Sequence, residues 1–221
     1  YTHARVRAPG EEAACHKHRL RELLEEAGAP PSYSLPTLFH VREDLFILMS
    51  NHEYARSATN AEDLTEATLR GRAEVHAQVR ALRSLGGVWR GICIVATSAQ
   101  IGVREGRRIH GRYTVTAQDL SGGARHPDAV SRCHFGVDVH ATNPNQGKGI
   151  TCEGAPGKPY DIPLRALIAR DVDGLMMAGR CISGDFLAHS SYRVTADAVP
   201  MGAAAGRVAA VAAKSNRFPL E

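Results

Sequence analysis

The chain has 221 residues, 43% of them apolar and 23% charged, a balance that allows a packed core and argues against a disordered chain. No apolar run reaches the roughly 18 residues of a membrane span, and the small-residue stretch from Ala203 to Ala213 is interrupted by Arg207. The net charge of +4 arises from 27 basic and 23 acidic residues spread evenly along the chain, which gives no ground for a nucleic-acid partner.

Taken in order, residues 11 to 27 predict a helix. Glu11 and Glu12 suit its positive end, Leu20, Leu23 and Leu24 give an apolar stripe, and Gly28 with Pro30 and Pro31 stops it. A Pro- and Ser-rich connector follows over 30 to 37. The run Leu-Phe-Ile-Leu-Met at 45 to 49 predicts a buried strand. The clearest helix spans about 61 to 85, with Asn60 as N-cap, Asp63 in an acidic first turn, and Gly86-Gly87 at its end. Residues 92 to 98 predict a second buried strand, and the alternation at 112 to 116 a third. Ser121 to Gly123 reads as a turn, 136 to 140 as a short strand, and 141 to 159 as a long surface loop. Residues 174 to 178 predict a short buried strand running into Gly179, and the last helix covers roughly 195 to 214. The expected fold class is mixed α/β.

The five cysteines (15, 93, 133, 152 and 181) are odd in number and never closer than 19 residues, so neither a CxxC site nor a disulfide framework is present. This usage predicts a cytoplasmic protein. Eleven histidines occur without a ligand spacing such as HExxH, so no metal site is expected.

The segment from Asp171 to Gly206 carries most of the chemistry. It reads as a strand, a tight turn at Gly179, a polar loop and a small-residue helix. The loop residues Gly179, Arg180, Cys181, Ile182 and Ser183 bring backbone where a ligand could approach. Pro200 suggests a helix start at which the N–H groups of Met201, Gly202, Ala203 and Ala204 face an anion or carbonyl; close helix packing explains the same small residues. Arg104, Arg107, Arg108 and Arg112 form the densest basic cluster. Arg104 and Arg108 share a face of an extended chain and could clamp an anion, or could pair structurally with Glu105 and Asp119. Twenty-three arginines against four lysines favour planar, bidentate recognition, or reflect coding bias. His52 follows the strand at 45 to 49, where it faces either a pocket or solvent. His140 closes the Asp138-Val139-His140 triplet.

The phrases IGVREGRRIHGRYTVTAQDL (101 to 120), Asp138-Val139-His140, Asp161-Ile162-Pro163-Leu164-Arg165 and RDVDGLMMAGRCISGDFLAHSSYRVTADAVPMGAAAG (170 to 206) are long and ordered. Together they resemble the C-terminal half of the FAD-dependent oxidoreductases often described as xanthan-lyase-like, over about residues 40 to 213. The resemblance implies FAD as cofactor and a division into a substrate-binding part, 1 to 170, and a closing strand, loop and helix of the FAD-binding domain, 171 to 221. It places the loop after Gly179 and the start of the last helix beside the flavin. His189 then becomes the candidate proton acceptor, and Arg193 a ligand for substrate or a partner of Asp185 or Asp197. Arg104, Arg108, His52 and His140 are expected on the substrate side. No GxGxxG occurs in the chain, so the Rossmann-like part that grips the pyrophosphate is not within these residues. That part sits on a separate polypeptide, was removed, or is lost together with FAD binding; a second polypeptide carrying it is the expected partner, in a hetero-oligomer that transfers hydride between a small polar, anionic substrate and the flavin. A non-enzymatic assembly or regulatory subunit, and a non-redox lyase or hydrolase, are the alternatives.

Overall fold

In a computed structural model, residues 10–140, 150–151 and 157–219 are described. The chain is mixed α/β, and its described residues divide into two compact units, one of residues 10–102 and the other of 103–140, 150–151 and 157–219. Compactness thus divides the chain at Gly102/Val103, and residues 171–219 pack with 103–140 in one unit.

The first unit is built on two helices and a hairpin. Helix α1 (Gly10–Glu26) ends where Gly28 takes a left-handed φ of 78° and the Ala29 N–H returns to the Leu24 carbonyl. Strands β1 (Thr37–Arg42) and β2 (Leu45–Met49) pair antiparallel, Thr37 opposite Met49 and Phe39 opposite Ile47. Helix α2 (Ala61–Ser84) starts at Asn60, whose side chain accepts from the N–H groups of Glu62 and Asp63 at 2.8 and 3.2 Å. Leu20, Leu23, Leu24 and Leu82 form the core, with Leu38, Leu48, Trp89 and Ile92 against it. Under α2, Glu74 accepts from the Ser32 N–H and hydroxyl and from Gln78, which also pairs with Ser50.

Two expectations for this unit need correcting. The run at 45–49 is a strand, but it is one arm of a hairpin and Ile47 is 59% exposed, so it is not a buried core strand. Residues 92–98 form no strand. They lie extended along α2, tied at one end by Arg83 to the Ile92 carbonyl and at the other by Arg72 to the Ser98 and Ala99 carbonyls, with Val95 78% exposed. An apolar run becomes a strand only where a second strand can hydrogen-bond to it, and this unit offers none there.

The second unit is stitched rather than sheeted. Strands β3 (Ala129–Cys133) and β6 (Tyr160–Pro163) pair antiparallel, as do the two-residue strands β4 (Val139–His140) and β5 (Ile150–Thr151). The predicted strand at 112–116 is reduced to single bridges, Gly111 to Ala169 and Val115 to Gly184, and that at 174–178 to one bridge between Met176 and Ile168. Leu175 is exposed, so the latter is not a buried strand. Ser121 and Gly122 close the short helix α3 (Ala117–Gly122), and the turn itself falls on Gly123 at φ 70°. Of the expected loop at 141–159, residues 141–149 and 152–156 lie outside the described residues.

Two helices complete this unit, α4 (Phe186–Tyr192) and α5 (Thr195–Ser215). The core joins Val115, Leu120, Tyr160, Ile162, Leu167, Ile182, Tyr192 and Met201. Gly111 sits where no side chain fits: a Cβ would meet the Ser183 Cβ at 2.6 Å and the Tyr113 and Ala166 carbonyls at 2.9 and 3.0 Å. Gly206, on the open flank of α5, has nothing within 4 Å of such an atom. Gly111→Ala is therefore expected to cost about 1–3 kcal/mol by overpacking. Gly206→Ala should instead stabilise by up to about 1 kcal/mol through helix propensity. Urea unfolding of the two variants checks the opposite signs.

Candidate functional site

Helix α4 carries the site. Asp185 caps it, accepting from the Ala188 N–H at 2.8 Å and, from another segment, the Ala117 N–H at 2.7 Å. The helix is short and almost wholly buried, although four of its seven side chains are polar. Three of these are served: the Ser190 hydroxyl donates to the Leu187 carbonyl, Ser191 to the Phe135 carbonyl and Tyr192 to the Ile182 carbonyl. The fourth is His189. It is 1% exposed, it packs edge-on against the Tyr192 ring at 5.5 Å, and neither ring nitrogen has a hydrogen-bond partner among the described residues.

Burial pushes the His189 imidazole down to about 4, and the neighbouring charges of Arg108 and Arg193 push the same way. The Arg180 backbone carbonyl favours the protonated ring only weakly and lies outside hydrogen-bond geometry. The ring is thus neutral at pH 7 and surrounded by guanidinium charge.

Arg193 ends the helix, with its side chain only 5% exposed. It donates to the Glu105 carboxylate at 2.9 Å and to the Asp138 carbonyl at 2.6 Å, so it pairs with neither Asp185 nor Asp197. Burial lowers its pKa and Arg104 adds to this, while Glu105 and Asp138 oppose. Asp138 also meets the His140 Nε2 through Oδ2 at 3.1 Å, and its Oδ1 is buried without a partner. The His140 pKa is lowered, by burial first and then by Arg104.

The second unit therefore brings together His189, Arg193, Arg108, Arg104 and His140. His52 belongs to the first unit, where its ring lies tilted at 4.5 Å from that of Tyr33 and edge-on to Tyr54. Sequence reasoning missed Glu105 as the partner of Arg193 and Asp138 as the link to His140. The only signal was their charge, and the 88 residues between Glu105 and Arg193 hide the pairing.

The expected cofactor-binding residues divide. Gly179, at φ 68°, lets the chain pass close to α5, where its Cβ would lie 3.3 Å from that of Ala198. Arg180 is exposed and Cys181 half-buried, but Ile182 belongs to the core and the buried Ser183 hydroxyl meets Thr114 at 3.0 Å. Helix α5 starts at Thr195, so the N–H groups of Met201, Gly202, Ala203 and Ala204 do not form its free end. Met201 points into the core, whereas Gly202 and Ala203 are exposed and Ala204 is half-buried. Neither Gly202 nor Gly206 is in close packing within the unit.

The family model of the FAD dependent oxidoreductases matches residues 3–221. The chain belongs to this family. Neither a curated protein nor a solved structure matches it. Membership makes the chain an FAD-dependent oxidoreductase. Among the described residues, no helix is long and apolar enough to cross a membrane. The residues present leave one surface on which a flat group such as a flavin would fit, the exposed Gly202–Ala203 flank of α5, whereas the backbone at Gly179 is taken up by Ala198. A GxGxxG cradle for the pyrophosphate is not in the sequence.

The low His189 pKa has a consequence for stability. An unfolded histidine titrates near 6.5, so between pH 6.5 and about 4 the unfolded chain binds the extra proton and the folded one does not. Stability held above pH 6.5 is therefore lost as the pH falls through this window, by up to about 1.4 kcal/mol per pH unit. His189→Leu should remove this part of the slope. Urea midpoints of both proteins from pH 7 to 4 check it, with the expected result that their difference changes with pH.

Proposed function

We propose that this family member oxidises a small anionic substrate: Arg104, Arg108 and Arg193 hold the anion, and His189 accepts a proton while hydride leaves the substrate carbon for the flavin. The observation that carries the reading is the unpartnered, neutral imidazole of His189 among guanidinium groups. A buried polar side chain without a partner is costly, and here the missing partner would be a ligand group. Arginines around it would lower the energy of an incoming anion and of negative charge that develops during reaction. An anion in their midst would also raise the His189 pKa toward neutrality, coupling proton acceptance to substrate entry. FAD, when bound, supplies the electron acceptance; the chain supplies orientation, charge and the proton acceptor. Arg180, Cys181, Gly202 and Ala203 are the residues we assign to the flavin side, with His140 beside the substrate.

The pyrophosphate cradle would come from a partner polypeptide bearing a strand, GxGxxG turn and helix. The absence of that motif from these 221 residues and the exposed small-residue flank of α5 support this. A reducing, cytoplasmic setting suits Cys15, Cys93, Cys133 and Cys181, all free thiols.

Two measurements follow. The 221-residue chain alone is expected to retain FAD weakly or not at all, while the complex with its partner retains it stoichiometrically; stoichiometric FAD on the isolated chain overturns the partner reading. In the complex, a screen of small hydroxy- and amino-carboxylates for flavin bleaching identifies a substrate. With that substrate, His189→Ala should slow bleaching by about 10²–10⁴ with FAD still bound. A loss below about tenfold in stopped flow would return His189 to a packing role.

A further inference from the structure

Arg193 holds its charge in the interior only because anionic groups face it, and the carboxylate that does so is unusual. The Glu105 side chain is 49% exposed, whereas that of Arg193 is 5% exposed. One partner is fixed and buried; the other stands at the surface and can leave for water at little cost. The backbone around Glu105 has the same character. Residues 103–110 form neither helix nor strand. They are anchored at the two ends, where Arg180 donates to the Val103 carbonyl and the Ile109 N–H donates to the Cys181 carbonyl at 3.0 Å. Among the described residues, no backbone hydrogen bond holds 105–108 between those anchors.

The second contact of Arg193 is different. Its Nη2 donates to the Asp138 carbonyl, a backbone atom next to the β4 strand, and this fixes the direction of the guanidinium plane. Nη1 is the arm given to Glu105. A guanidinium aimed by one backbone contact and satisfied on its other arm by a half-exposed surface carboxylate has the form of a receptor already holding a stand-in ligand.

We propose that Glu105 is an internal carboxylate which occupies the Arg193 site when no substrate is present, and that the substrate carries a carboxylate which displaces it. This deepens, and rests on, the reading of the arginine cluster as an anion site. The exchange breaks one carboxylate–guanidinium pair and forms another, so no net charge is buried or released. It selects for a planar carboxylate and against neutral amides of the same shape. Glu105 is accordingly a specificity-determining residue: its competition sets the threshold affinity an entering carboxylate must exceed.

The test uses the full 221-residue chain, acetate as probe and acetamide as its neutral match. Binding is read from the Arg193 Nε–H resonance of labelled protein, assigned with Arg193→Lys, and from the Glu105 carboxyl carbon. In the wild-type chain, acetate should shift both signals together and acetamide neither. Glu105→Gln should bind acetate at least fivefold more tightly. Glu105→Asp, which keeps the charge but withdraws it by one methylene, should fall between the two and decides the matter if the glutamine variant does not fold. Acetate that shifts Arg193 with equal affinity in all three proteins overturns the displacement and leaves the anion site standing. Acetate that shifts Arg193 in none of them overturns the anion site as well.

Discussion

A guanidinium cannot be taken into a protein interior without anionic or carbonyl partners, and Arg193 imposes that requirement on the second unit. Its position is fixed by α4, which Asp185 starts and Arg193 ends. The same Asp185 carboxylate reaches the Ala117 N–H and so ties the start of α3 to the start of α4. Asp138 must come near to offer its carbonyl, and Glu105 must come near to offer its charge. The segments holding these groups are then drawn into one cluster by electrostatics rather than by a sheet. His189 sits one helical turn before Arg193, on the same side of α4, where burial first and the positive surroundings second keep it neutral.

A second buried group shows the opposite solution. Cys133 donates to Asp197 at 2.8 Å, and the Tyr160 hydroxyl donates to Ser191 at 3.0 Å beside it. Burial and the Asp197 carboxylate push the Cys133 thiol up to about 11, so it stays protonated and serves as a donor. Burial also raises the Asp197 pKa. These groups satisfy one another and pin the first turn of α5 to β3. The contrast is what marks His189: in the same interior, a few residues away, one polar network is closed and one imidazole is left open.

The helices were legible in the sequence because their ends are written locally. Asn60, Gly28 and the small residues after Thr195 act through neighbours within a few positions. The strands were legible only as apolar runs, and an apolar run does not state its partner. Residues 92–98 have the composition of a core strand and yet find no ladder, while Thr37–Arg42, with His40 and Arg42 in it, pairs along its length. Helix α4 escaped notice for the inverse reason: His189, Ser190 and Ser191 look like a solvated loop, and their burial depends on carbonyls supplied by distant segments. The candidate site shared both limits. Its histidine and arginines could be named from type and position, whereas the partner that gives Arg193 its meaning lies 88 residues away.

The placement of these features also bears on how a site built this way can work. Short bridges such as Gly111–Ala169 and Val115–Gly184 hold the chain at points, not along lines. Where the chain must not move, the sequence spends glycine on close contact: Gly111 against Ser183, and Gly184 with the Tyr192 ring 2.5 Å from where its Cβ would stand. The Gly184 contact falls on Tyr192 of α4, so the helix that carries His189 and ends at Arg193 is closely packed there. A guanidinium and an imidazole buried on one helix are thus faced by a carboxylate that stands half-exposed at the surface, so that α4 orients the buried groups while the charge opposite them meets solvent.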